Sequence, residues 1–415
     1  MDTITHGIVG ALAGRAFFAG RDVPAISADG AVLRSGSDPT ARVAITACTL
    51  GAVFPDIDVF AGPIAHNPLA IIEWHRNITH SLVMLPIWAV LLAGVTLPLA
   101  RWVGWKPPSF AKLLGIYAFG LASHVFLDVM TNFGTMVWSP LNYSRVAWDW
   151  LFIIDLGFSG IALLPQFVAW CYREPVKFTL RAGIVWLLFT GIALAAYVVA
   201  KSAGYGFAAW IVPATSAVAA GILFLPAIRR LGFRWTRANW CRAGLAVLCV
   251  YVALAATAHR KALAYTEDFA RSHQLHVEKL AALPLPPTLT HWTGVINTPD
   301  GVWRTTLHVP GGTLERSQLY ADAGSDPYVA EAEHLRDVQI YLWFARFPIW
   351  QVTQTEGRTV ADVTDVRFFR GENSEASSTP QPGRMPGMRN TAGFTFEVVF
   401  DSLGHVISHG FKRPE

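Results

Sequence analysis

Residues 113–134, LLGIYAFGLASHVFLDVMTNFG, begin as unbroken apolar chain and end with a histidine and an aspartate four positions apart. A helix needs about 20 apolar residues, at 1.5 Å each, to cross the hydrocarbon core of a bilayer. Positions i and i+4 of a helix share a face one turn apart, so His124 and Asp128 are expected together at one end of a span. A carboxylate near mid-bilayer costs about 2.5–3.5 kcal/mol on insertion scales. A divalent cation offsets that cost by neutralising the charge and occupying the lone pairs. Mixed nitrogen and oxygen donors suit zinc, manganese or iron better than calcium.

Working outward, the chain has the composition of a membrane protein. Of its 415 residues 53% are hydrophobic and only 15% charged, with a mean hydropathy of +0.36. The net charge is only +4, and the basic residues cluster in short loops between apolar runs, a topology signal rather than a nucleic-acid surface. Eight apolar segments are visible, at about 4–19, 42–57, 81–100, 111–131, 150–171, 181–200, 206–228 and 242–258. The first two are short enough to be brief spans or a re-entrant pair. Residues 20–41 and 370–390 carry turn formers and are expected to be loops. The N-terminus lacks the basic n-region of a cleavable signal peptide and is expected to stay on the protein. Cys48, Cys171, Cys241 and Cys249 lie in or beside apolar segments and are expected to be small buried hydrophobes.

Beyond residue 258 the pattern changes. HRKALAYTEDFARSHQLHVEKL, from His259, continues as a helix leaving the membrane, and LPLPP breaks it. Then follow β-prone runs: HWTGVI, VWRTTLHV, VQIYLWFARF, IWQVTQ, VADVTDVRFF and FTFEVVF. The expected fold is therefore an all-α polytopic membrane helix bundle with a C-terminal β-rich α+β domain. The expected divisions are a metal-site core over 1–160, further transmembrane helices over 161–258 and a soluble domain over 259–415.

Three basic loops, with Arg101, Lys106 and Lys112, with Arg173, Lys177 and Arg181, and with Arg229, Arg230, Arg234, Arg237 and Arg242, fall on one side if every segment crosses. The positive-inside rule makes that side cytoplasmic. His6, Asp56, Asp58, His75, His80, His124 and Asp128 then meet at the outer face, and the C-terminal domain is extracytoplasmic. Two carboxylates and several imidazoles suffice for two ions, a clamp common in phosphoester hydrolysis. Asp58 or His75 is the candidate general base. Arg76 is a candidate to stabilise a phosphate oxyanion or to anchor to lipid headgroups. Asp149 and Asp155 are expected beside the ligands rather than among them. The boundary tryptophans, Trp102, Trp105, Trp138, Trp148 and Trp150, mark the interface. His273, His276, His291, His308, His334 and His405 lack ligand spacing and are expected to be ordinary residues.

MDTITHGIVGALAGRA, FPDIDVF, HRNITHS, SHVFLDVMTNFGT and DWLFIID, in this order over about residues 1–160, resemble the inner-membrane metal-dependent hydrolases of YdjM type, also described as LexA-binding. That family is distantly similar to zinc-dependent phospholipase C. The resemblance implies His6, Asp56 or Asp58, His80, His124 and Asp128 as ligands of one or two divalent ions, zinc first, with manganese or iron as alternatives. It offers no counterpart for His75. The expected protein is a bacterial inner-membrane hydrolase acting on a phosphoester, in contact with membrane lipid and with a lipid-linked or small-molecule substrate. Nucleic acid is not an expected partner, and the identity of any protein partner is left open by the sequence. The competing readings are a proton- or ion-coupled transporter, which would spread polar residues through the depth of the bundle, and a non-catalytic membrane regulator.

Overall fold

A computed structural model describes residues 1–20, 25–26, 32–33, 38–202, 208–228, 230–355, 357–369 and 394–412. By internal contacts the chain divides into two compact units. The first is Met1–Pro55, Leu82–Leu127 and Leu156–Tyr251; the second is Asp56–Ser81, Asp128–Asp155 and Val252–Glu415.

The first unit is helical. It holds α1 (Thr3–Ala13), α2 (Ala41–Val53), α3 (Leu85–Trp102), most of α4 (Phe110–Val129), α5 (Leu156–Cys171), α6 (Phe178–Ser202), α7 (Ile211–Ile228) and the first part of α8 (Arg237–Ser272). Among the described residues six stretches are long and apolar enough to cross a membrane: Ala41–Ala65, Leu85–Trp102, Phe110–Val129, Pro175–Ser202, Ile211–Ile228 and Arg237–Ser272. Helices α1 and α5, of 11 and 16 residues, fall short of that length. Leu187, Val198 and Leu225 are exposed on α6 and α7, as lipid-facing side chains are. A two-residue ladder joins β1 (Ala25–Ile26) to β2 (Val32–Leu33); the rest of 21–37, and the whole of 370–390, lie outside the described residues.

Small residues let α1, α2 and α4 approach closely. A Cβ added at Gly10 would lie 2.6 Å from that of Ala52, and one at Gly120 would lie 2.7 Å from the Cys48 carbonyl oxygen. Close helix contact in membranes relies on such positions. A Gly120→Val substitution is therefore expected to destabilise the protein by about 1–3 kcal/mol, seen as a lower unfolding midpoint in detergent. An unchanged midpoint would mean that α2 and α4 do not meet there. Cys48, Cys171 and Cys241 are buried as expected, whereas Cys249 is exposed on α8, because an apolar residue facing lipid has nothing to be buried against.

The second unit contains two four-stranded antiparallel sheets. One is the meander β3 (Lys279–Leu285), β4 (His291–Thr298), β5 (Gly301–His308) and β6 (Thr313–Ala321), in that order. The other has the order β10-β9-β8-β7, from β7 (Pro348–Thr355), β8 (Arg358–Asp365), β9 (Thr395–Phe400) and β10 (Val406–Phe411). Val295, Val302 and Tyr320 of the first sheet share a core with Ile349 of the second. The later turns of α8 lay Ala258 and Ala262 against Trp292 and Leu307. Two short helices, α9 (Pro327–Ala332) and α10 (Arg336–Phe344), stand between the sheets in sequence.

Most of VQIYLWFARF, expected as a strand, is α10. Its buried residues Val338, Tyr341 and Phe344 recur every third position, a helical period rather than the strand period of two. Strands β3, β6 and β10 fall outside the expected runs. Leu69, Ile72 and Phe133, from the loops beside HRNITHS and after α4, are buried with Tyr341, Phe344 and Trp350. Those loops are thus held by the core of the second sheet.

Candidate metal centre

The site is built from three segments. After α2 the chain tightens into a 3-10 turn, Phe54–Phe60, which carries Asp56 and Asp58; Pro55 has no N–H with which to continue the α-helical ladder. A second 3-10 turn, Ile78–His80, presents His80. The last turn of α4 presents Asp128.

Within the second unit these side chains converge. His80 Nε2 lies 3.4 Å from Asp56 Oδ1 and 3.3 Å from Asp128 Oδ2, and all three residues are buried. Asp56, His80 and Asp128 each offer a ligand atom within 4.8 Å of the others. His124 stands one turn before Asp128 on the same helix, a spacing that puts the two on one face. In the first unit, His124 Nδ1 donates to the Ala52 carbonyl at 2.7 Å, which in a neutral ring leaves the lone pair on Nε2. His6 lies flat on His124, ring centroids 3.6 Å apart and planes 17° apart.

Asp58 does a different job from Asp56. Its carboxylate accepts from His75 Nδ1 at 2.8 Å, Thr79 Oγ1 at 2.8 Å and the Arg76 backbone N–H at 3.1 Å. It also pairs with His80 Nδ1 at 3.1 Å. A carboxylate on Nδ1 fixes the ring and directs Nε2 to the ligand position, the usual support of a metal-binding histidine. Asp58, His75 and His80 also come within 4.8 Å as a second potential ligand group. His80 donating from Nδ1 to Asp58 has only Nε2 left to ligate, which favours the Asp56–Asp128 side.

The electrostatics suit a cation. Burial pulls the His80 imidazolium down, yet hydrogen bonds to Asp128, Asp56 and Asp58 outweigh it and push the group up to about 10. The carboxylates that stabilise the imidazolium would stabilise a metal ion in place of the Nε2 proton, which the ion must displace to bind there. His75 goes the other way: its burial outweighs the help of Asp58, and its pKa falls below the ordinary histidine value.

Arg76, read from sequence as oxyanion binder or headgroup anchor, is only 1% exposed. Its Nη2 pairs with Asp128 Oδ1 at 2.9 Å, and its Nη1 donates to Thr131 Oγ1 at 2.9 Å. Its backbone is left-handed, φ 60°, an uncommon conformation for a side chain of this size. Burial rules out headgroup anchoring. Asp149 holds Arg346 bidentately at 2.8 and 2.9 Å, and so serves an ion pair within the second unit rather than a ligand group. The pairing of Arg76 with Asp128 left no mark in the sequence, since it joins residues 52 positions apart.

Beside Asp58 and His75 opens a cleft of about 650 Å³, lined also by Val59, Pro63, His66 and Ile71. A multi-pass membrane protein with a buried group of aspartates and histidines able to hold a metal ion is the class that these features define. Residues 1–208 match the model of the family described as YdjM inner membrane protein, and the chain belongs to that family. No curated protein and no solved structure matches it.

Proposed function

We propose that the protein is a metal-dependent hydrolase of the inner membrane, acting on a phosphoester at the outer membrane–water interface, with its C-terminal β-rich unit extracytoplasmic. The observation that carries this reading is the pair of adjoining arrangements, Asp56–His80–Asp128 and Asp58–His75, beside an open cleft. Asp56, His80 and Asp128 would hold a divalent ion, with His124 the imidazole that the helix spacing offers beside Asp128; zinc is favoured by the nitrogen and oxygen donors, and manganese or iron are compatible with them. His6, stacked on His124, is the candidate for a further imidazole. When bound, such an ion activates water near neutral pH and polarises a phosphoryl oxygen.

The remaining work falls to the chain. Asp58 holds His75 through Nδ1, so the opposite nitrogen, Nε2, takes the proton of the attacking water. The depressed pKa of His75 keeps that nitrogen unprotonated at neutral pH. Val59, Pro63 and Ile71 give the cleft an apolar wall suited to the chain of a lipid-linked substrate. Arg76 balances Asp128 rather than touching substrate.

The test is hydrolysis of a chromogenic phosphodiester by detergent-purified, metal-loaded protein. His75→Asn is expected to lower the rate by about 10²–10⁴-fold while leaving the bound metal in place. Full activity in that variant, or no turnover of any phosphoester by the metal-loaded wild type, would refute the assignment.

A further inference from the structure

A second cavity, of about 340 Å³, lies wholly within the second unit, among Phe133, Gly134, Arg145, Lys279, Arg346 and Arg367. Its volume falls in the range of about 300–1,000 Å³ usual for small-molecule sites. None of the candidate metal ligands lines it.

Its cations are unequally matched. Arg346 is spent on Asp149, and Arg367 donates from Nε to Asp365 at 2.7 Å. Among the described residues, Arg145 and Lys279 hydrogen-bond to carbonyls alone. Arg145 donates to Gly134 O at 3.1 Å and to Ile72 O, and Lys279 Nζ donates to Arg346 O at 3.0 Å. Among the described residues, Arg145 Nε is buried with no hydrogen-bond partner. Among the described residues neither cation forms an ion pair, so two positive charges face one cavity.

The same crowding appears in their proton affinities. Burial, then Arg367 and Arg76, push Arg145 down to about 9. Burial, then Arg346 and Arg367, lower Lys279 and outweigh the opposite pull of Asp365 and Asp149. Aromatic rings hold the guanidinium still: Arg145 lies 4.9 Å from the centroid of Trp343, 5.1 Å from Phe344 and 5.7 Å from Phe133. A guanidinium fixed by cation–π contacts binds with little further loss of freedom.

We propose that this cavity is a binding site for a phosphate-class dianion, gripped by Arg145 and Lys279. A phosphate monoester carries about −1.5 to −2 charges at neutral pH, which matches two cations outside any ion pair better than a single carboxylate does. A terminal lipid phosphate and free phosphate present the same chemistry. The site stands apart from the hydrolase reading and holds whether or not the protein is an enzyme.

The experiment is equilibrium dialysis of radiolabelled inorganic phosphate against the full chain in detergent, with phosphatidic acid micelles or phosphatidylcholine micelles as competitors. Wild-type protein should bind phosphate, more weakly as salt rises. Lys279→Glu, at an exposed position, should weaken binding tenfold or more with metal content unchanged, and Arg145→Gln should do the same. Displacement by phosphatidic acid at lower concentration than by unlabelled phosphate assigns the site to a lipid headgroup; the reverse order assigns it to the free anion. Absence of phosphate binding, or unaltered binding in Lys279→Glu, overturns the proposal even if Arg145→Gln fails to fold.

Discussion

Replacing His80 by alanine should abolish metal binding by the purified protein, whereas replacing Asp58 by asparagine should only weaken it. His80 is the residue on which Asp56 and Asp128 both converge, at 3.4 and 3.3 Å. Without its imidazole two buried carboxylates are left to repel each other. Asp58 lies behind the ring, on Nδ1. Losing such a support costs about 10–100-fold in metal affinity, and losing the ligand itself costs more. Wild-type protein is expected to carry about one ion per chain in elemental analysis, since His80 cannot serve a second ion while it donates to Asp58. The order wild type, Asp58→Asn, His80→Ala is the signature to look for in competition with a chelator. Equal metal content in all three, at matched monodispersity on gel filtration, would show that His80 is no ligand.

The helical part of the fold was legible because its signal is one-dimensional. An apolar run such as LLGIYAFGLA announces a span by length alone, and His124 and Asp128 stand out against it. The β-rich part was legible where β-branched and aromatic residues gather in short runs, as in β4 and β5. KLAALPL is β3, yet the prolines that follow it disguise it as a helix stop. TLERSQLYA, β6, carries four polar residues in a row, Glu315 to Gln318, and VISHGF, β10, lies at a sheet edge. VQIYLWF is rich in strand formers, but packing on Phe396 and neighbouring rings selects its three-residue period over local preference. In the site, sequence order brought out the acids and imidazoles but not their division of labour. Asp56 and Asp58 are two positions apart in FPDIDVF, and only the irregular backbone of 66–84 decides that Asp58 gathers His75, Thr79, Arg76 and His80 while Asp56 faces His80 Nε2. Irregular segments lack the periodicity that makes such assignments readable.

That irregular backbone is itself held by charge, and the second large effect is expected there. Arg76→Gln should destabilise the protein by about 3–5 kcal/mol, the usual cost of removing one partner from a buried ion pair. The glutamine can still donate one hydrogen bond but leaves Asp128 without its countercharge in a place with essentially no solvent. Arg76 also donates to Thr131 Oγ1 and to the Asp128 carbonyl, and its own carbonyl accepts from Met136 N–H. The side chain therefore ties the end of α4 to the segment that carries His80. Because a divalent ion supplies the same positive charge beside Asp128, added zinc should restore more stability to Arg76→Gln than it adds to wild type. The measurement is the detergent unfolding midpoint with and without zinc for both proteins. A zinc increment no larger in the variant than in wild type would mean that Asp128 does not share its charge between the guanidinium and an ion.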